Sequence, residues 1–560
     1  MTSPLAGSHQ HGSTVQRRLG PGRVLREGTR STYRGVAVVD GEPHSVRDDL
    51  APAGGAPAAG AGRRALLVLA HVTDLQLADV QSPTRFEFLN REFADPRYAM
   101  IVPVQRPQEA LTAHAVEATL RTVNALEGGP VSGAPLQLAV TTGDAIDNAQ
   151  WNEVQNFLRL FDGGLVRPGS GGPEYEGVQS LEWPDDIFWK PDGVPASGPD
   201  VFRQWFGFPE HPGLLQRALA DFTAAGLDVP WLACFGNHEA LNQGVGVVTA
   251  ALAGALVGDR KPLRLQPGFD PEQALESFTL RPEVFMAGDL RVVSADPDRR
   301  AVSRREFVEA HFLPGTRPYG HGFEERNRLD GTAYYVHDLP GLRLVALDTT
   351  CLAGGADGCL DEDQAAWLED RLAEVHGQFR SPDGGVVRTG NDDRLVVLFS
   401  HHGVETLAGA PAHAGPDGAR LLGGPELLRI VHRFDNVVLW LNGHTHTNTV
   451  CARRHPQDPA RGFWEVTTCA VVDWPCQTRV VELLDNADGT LSIVCTMLDH
   501  DSPTSVSGPA SAFTGADIAG LHRELAGNVP FDGFDSPRSG TPADRNVELR
   551  LAAPFPLHRV

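Results

Sequence analysis

Lysine is almost missing from this 560-residue chain: Lys190 and Lys261 are the only two, so the positive charge is nearly all arginine. With Ala, Gly and Pro abundant, that bias reads as gene composition more than function. Against 48 Lys and Arg stand 71 Asp and Glu, a net charge of −23. Such a surface repels polyanions, and no basic stripe runs along the chain, so neither a nucleic-acid partner nor an anionic membrane is expected. The basic cluster DRRAVSRRE (298–306) carries its own acids and reads as a solvated face. No apolar run approaches the ~20 residues of a membrane span. Arg17-Arg18 is followed by Gly, Pro and charge, not by an apolar segment, so no export signal is expected. Cysteine is scarce too. Seven residues with no CxxC argue against a disulfide scaffold and make a cytoplasmic setting the expectation.

What is plentiful is glycine (60) and proline (42), which fits long loop-rich insertions. The chain is long enough for several domains, or for one α/β domain enlarged by insertions. Residues 1–64 read as a polar, Gly/Pro-rich, loosely structured leader. Apolar runs at 64–72, 135–144, 229–238, 393–403 and 436–443 read as buried strands. Helical spacing falls at 107–127, 148–161, about 213–225, 361–376 and 424–434. A hairpin is expected at 332–350, and more strands in FWEVTT, TRVVELLD and LSIVCTML. Insertions occupy about 162–212 and 240–330, and 501–560 reads as an extension packing on the surface. Strands alternating with helices give an α/β class.

Each central strand breaks into polar residues, the usual place for a site in such sheets. The breaks are HVTDLQ (71–76), TGDAIDN (142–148), FGNHE (235–239), SHHG (400–403) and GHTH (443–446). Singly each is weak, because a lone histidine is usually a satisfied core or surface residue. Together they offer Asp74, Gln76, Asp144, Asn237, His238, His401, His402, His444 and His446. Mixed carboxylate, imidazole and amide donors suit Mn²⁺, Fe or Zn²⁺.

In this order the motifs resemble those of the calcineurin-like metallophosphoesterases: DxH, GDxxD, GNH(D/E), a histidine after a strand, and GHxH. Here they read Asp74-Leu-Gln76, Gly143-Asp144-Ala-Ile-Asp147, Gly236-Asn237-His238-Glu239, His401 and Gly443-His444-Thr-His446. The resemblance covers about 65–500, and within the family an actinobacterial branch is the nearest match. It implies a four-layer α/β sandwich with two central mixed sheets and two metal ions between them. By position Asp74, Gln76, Asp144 and His446 would hold the first ion. Asp144 would bridge, and Asn237, His401 and His444 would complete the second.

The implied chemistry is hydrolysis of a small phosphorylated substrate, monoester or diester, by a metal-bridging hydroxide. His238 would assist the leaving group, with Glu239 orienting its ring. Asp147 would support the GD turn. His402 stands between a substrate contact and a packing role, and His321, in YGHGFEERNR (319–328), is a candidate second-layer or substrate residue. Gln76 departs from the family pattern, which has histidine there; its harder oxygen favours Mn²⁺ or Fe over Zn²⁺. The alternative is a non-catalytic member kept as an interaction platform, although such proteins usually lose site residues. A metallo-β-lactamase site would need HxHxDH, and HTHTNT lacks its aspartate and third histidine. Cys351 and Cys359 flank a loop containing three glycines. A disulfide there could contribute ~2–3 kcal/mol, while a reducing compartment would keep the thiols free.

Overall fold

Strands Arg64–Val72, Leu395–Ser400 and Val437–Asn442 are almost entirely apolar and buried on both faces, as parallel strands covered on each side require. In the computed structural model, which describes residues 13–52, 62–409 and 420–557, they fall in two mixed sheets. The seven-stranded sheet runs Ser45–Leu50, Val547–Ala552, Thr490–Asp499, Gln477–Asp485, Arg64–Val72, Leu138–Thr141, Trp231–Leu232. The six-stranded sheet runs Tyr335–Leu339, Leu342–Leu347, Leu395–Ser400, Val437–Asn442, Asp458–Thr467, Thr449–His455. One buried cluster draws Leu67, Leu69 and Val140 from the first sheet and Leu344, Val397 and Leu439 from the second. The faces that meet there are the main core. The opposite face of the six-stranded sheet buries Val345, Leu398 and Trp440 under helices Glu362–Ala373 and Gly424–Val431. Helix Thr112–Asn124 adds Val116 and Leu120 to the main core and packs on helix Gly515–Gly527.

Register decides where a site can form. Parallel pairing aligns Val72 with Thr141 in one sheet, and Leu347 with Ser400 and Phe399 with Leu441 in the other. The strand ends therefore share an edge in each sheet. The edges are stitched together by Val471 N–H to Asp74 O (3.2 Å) and by His401 Nδ1 to Thr142 O (2.7 Å).

Several expectations give way here. Residues 17–50 are not a loose leader: Arg17–Glu27 and Thr32–Asp40 form an antiparallel ribbon, and Ser45–Leu50 is an edge strand of the large sheet. Nor is 501–560 a surface extension. Helix Gly515–Gly527 is largely buried, and Val547–Ala552 lies inside the sheet, between its neighbours. The helix expected at about 213–225 stops at Ala218, because Phe222–Ala224 pairs with Gly164–Val166. The strand expected over 229–238 is reduced to Trp231–Leu232.

Both lysines are fully buried. Lys190 Nζ donates to the carbonyls of Val178 (2.7 Å) and Ser180 (2.8 Å), and Lys261 Nζ donates to Ser82 O and Glu87. They close polar holes inside the loop-rich segments. Cys351 and Cys359 are free buried thiols, not a disulfide. No helix among the described residues is long and apolar enough to cross a membrane.

Candidate metal centre

The strand breaks force an unusual backbone. Asp74, Gln76, Asp144, His444 and His446 all have φ between 44° and 68°, a region that costs a non-glycine residue on the order of 1–3 kcal/mol. Strain repeated at five positions of one cluster is held by the surrounding bonds. Asp74 accepts from Thr73 Oγ1 (2.7 Å) and from the His444 N–H (3.1 Å). Asp144 accepts from the His238 N–H at 3.0 Å. Asp144 and Ala145 donate their own N–H groups to the two oxygens of Glu239, at 2.9 and 2.6 Å.

Tautomers follow from the outer partners. His401 Nδ1 must donate to Thr142 O, so its Nε2 faces inward, 3.1 Å from Asp144 Oδ2 and 3.2 Å from His444 Nδ1. His446 Nδ1 lies 2.6 Å from the Asp473 carboxylate, which turns its Nε2 toward Asp74 Oδ1 at 3.3 Å. The two histidines of GHTH thus look in different directions, each toward a different aspartate-bearing half of the centre. Ligand atoms of Asp74, Asp144 and His401 all lie within 4.8 Å of one another.

The carboxylates draw positive charge inward. Burial opposes protonation of His401, but Asp144 outweighs it and lifts the ring to about 9. The same contest, with Asp144 and then Asp147 opposing burial, lifts His238 to about 9. Burial also opposes the charge of Asp144, yet the facing rings of His401 and His238 hold it well below the usual carboxylate range. His444 goes the other way, lowered to about 3 by burial and then by His401, so it stays a neutral donor.

The donor set fits metal ions. Asn237 Nδ2 donates to Gly244 O (2.8 Å), which fixes the amide and leaves Oδ1 buried without a hydrogen-bond partner. Gln76 Nε2 sits 3.1 Å from His238 Nε2 and 3.4 Å from His446 Nε2, with Oε1 likewise buried and unpartnered. The orphaned Asn237 oxygen among ionised carboxylates and inward-facing ring nitrogens is what a hard cation satisfies.

Four expected roles change. Glu239 does not orient the His238 ring: its carboxylate caps the short helix Asn237–Ala240 through the Gly236 N–H (2.8 Å) and clamps the GD turn. Asp147 orients the ring instead, its carbonyl 2.9 Å and its Oδ1 3.3 Å from His238 Nδ1. His402 has both nitrogens engaged, Nε2 donating to Ala356 O and Nδ1 facing Thr349 Oγ1, each at 2.9 Å. Its ring packs 4.4 Å from that of His444, so it walls the centre and offers no lone pair. His321 is not brought to the cluster. It is buried against Trp231 (centroids 3.7 Å apart) and bonded to His311 and Asp162.

Asp473 is the residue the motifs missed. It stands alone in a loop 27 positions after His446, with no spacing pattern to mark it. Glycine is needed where strands end. A Cβ on Gly443 would collide with Asp74 Oδ2 and Thr73 Oγ1, and one on Gly236 with Asp144 Oδ1. Gly443→Ala is therefore expected to displace Asp74 and lower metal content while the protein stays folded. Metal analysis beside a melting curve checks it, and full metal content in the folded variant would contradict it.

No family model and no curated protein matches this chain. Among solved structures, the crystal structure of a dimetal phosphatase from Danio rerio is similar, with 12% identity and a TM-score of 0.35; the match covers 78% of this chain and 99% of that one.

Proposed function

We propose that the chain is a dinuclear metal-dependent hydrolase of phosphate esters. The observation that carries it is the convergence of Asp74, Asp144 and His401 within 4.8 Å at the facing edges of two sheets. The resemblance of the five motifs supplies the reaction class, and with it the reading of the fold as a four-layer sandwich carrying insertions at about 162–212 and 240–330. Asp74, Gln76, Asp144 and His446 would hold one ion; Asp144, Asn237, His401 and His444 the other. When bound, such ions withdraw charge from a phosphoryl group and make a nucleophile available near neutral pH.

The side chains do the rest. Asp147 holds His238 by Nδ1, which leaves Nε2 turned into the centre, 3.7 Å from Asp144 Oδ2. Nε2 is thereby placed to deliver a proton to a leaving alkoxide. Glu239 keeps the GD turn rigid, and His402 closes the wall beside His444.

Gln76 sets the character of the first site. Turning its terminal amide over places Oε1 beside His446 Nε2, and we assign ligation through that oxygen. One nitrogen among two carboxylates and an amide favours harder ions, so Mn²⁺ or iron is expected to support more activity than Zn²⁺. Gln76→His is expected to raise Zn²⁺ affinity. A wild type most active with zinc, together with a variant of unchanged metal preference, would refute the assignment. The test of the whole reading is metal content followed by turnover of p-nitrophenyl phosphate and its bis ester with Mn²⁺ supplied. Stoichiometric metal with turnover supports a phosphoesterase; folded protein that binds no metal and turns over neither ester does not.

A further inference from the structure

Behind the centre runs a line of buried charge that neither the motifs nor the packing of the sheets requires. Arg85 donates Nη1 to Asp147 and Nη2 to Glu109 Oε2, the latter at 2.8 Å. The second oxygen of Glu109 faces Arg106 Nη1 at 3.7 Å, and Arg106 Nε lies 2.8 Å from Asp473 Oδ1. Asp147 holds the ring of His238, and Asp473 holds that of His446. The run leaves the site on one side of Gln76 and returns on the other, since Gln76 Nε2 touches both rings.

Side-chain exposure along it is 5% or less, except 19% at Arg106. Burying an ion costs several kcal/mol after relaxation, and an apolar replacement of similar volume is often as stable. Stability is thus a weak reason for five charges here. Their two ends are more telling, because each terminates on the Nδ1 of a site imidazole. Partners of this kind fix tautomer and ring direction.

We propose that Arg85, Glu109 and Arg106 form one buried brace that sets His238 and His446 against each other, with Glu109 the positioning residue that couples them. Its catalytic consequence rests on the phosphoesterase reading; the brace itself does not.

Glu109→Gln tests it, because the substitution keeps shape and touches neither histidine. In metal-free protein carrying ¹⁵N-histidine, with signals assigned by single His→Gln substitutions, the imidazole resonances of both His238 and His446 are expected to shift. With metal supplied, affinity for the more weakly held ion is expected to fall about tenfold, the lower end for loss of an outer partner. The kcat for an alkyl phosphate should fall with KM nearly unchanged. A folded variant in which neither resonance moves, or only one does, overturns the coupling whatever the activity. If wild-type protein binds no metal and hydrolyses no ester, the functional reading fails while the resonances still decide the brace. Should Glu109→Gln not fold, Arg106→Lys repeats the measurement at the least buried link. It keeps the charge but loses the planar fork that reaches Asp473 and Glu109 together. Shifts at both histidines support the brace, and a response at His446 alone, or at neither, overturns it.

Discussion

Asp144→Asn is expected to lose at least one of two bound metals and nearly all turnover. On the proposed reading Asp144 would be shared by both ions; its Oδ2 lies 3.1 Å from His401 Nε2 and 3.7 Å from His238 Nε2, while Oδ1 takes the His238 N–H. Asparagine keeps the volume but presents one neutral oxygen where a charge held both sides. Disturbing the outer partner of a ligand typically costs 10–100-fold in affinity or activity, and removing a bridging charge is expected to exceed about 100-fold. The side chain also has a structural duty, so the melting curve is measured alongside. A folded variant with two metals per chain and wild-type kcat would remove Asp144 from the bridging position.

His238→Ala separates proton delivery from metal binding. The ring is expected to be no ligand, so metal stoichiometry should stay near that of wild type. On an alkyl phosphate ester, whose alkoxide needs a proton, kcat is expected to fall roughly 10²–10⁴-fold, the usual range for a general acid. On p-nitrophenyl phosphate the loss should be much smaller. Asp147→Asn is the companion, because Asp147 rather than Glu239 orients the ring through Nδ1. Its effect should follow the same dependence on leaving group, reduced in size. Equal losses on good and poor leaving groups would count against an acid and leave electrostatic stabilisation as the role of the ring.

What was legible in the sequence, and what was not, has a physical pattern. Runs such as VVLWLN announce themselves because a strand covered on both faces has no polar position until it ends, and Gly443 marks where Val437–Asn442 stops. The ends of the central strands were therefore readable, and with them Asp74, Asp144, Asn237, His401, His444 and His446 as candidates. Strands with an open face gave no such signal. The ribbon residues 17–27 are mostly exposed, and Thr449–His455 carries two arginines on a sheet edge, where charge discourages further pairing. Val547–Ala552 alternates Glu and Arg with Val and Leu, a pattern easily lost among Gly/Pro-rich neighbours.

The partners of the site were harder still. Glu239 and Asp147 each stand three positions from another motif residue, and spacing alone could not say which would face a ring. The structure gives the ring to Asp147 and the backbone turn to Glu239. Asp473, Thr349 and Arg106 act across long stretches of sequence, through contacts that only folding creates.

The two sealed lysines give this protein a chemical quietness of its own. A reagent that attacks primary amines finds no lysine ε-amino group on the folded surface, because Lys190 and Lys261 are both fully covered. Acylation of either side chain must wait until the carbonyl cages around it open. One cage is closed by Val178 and Ser180, the other by Ser82 and Glu87. The rate at which each lysine is captured by an activated ester, read by peptide mass, therefore clocks the opening of its own cage. Two native residues serve as a pair of timers for the breathing of the segments around them, with no label engineered in.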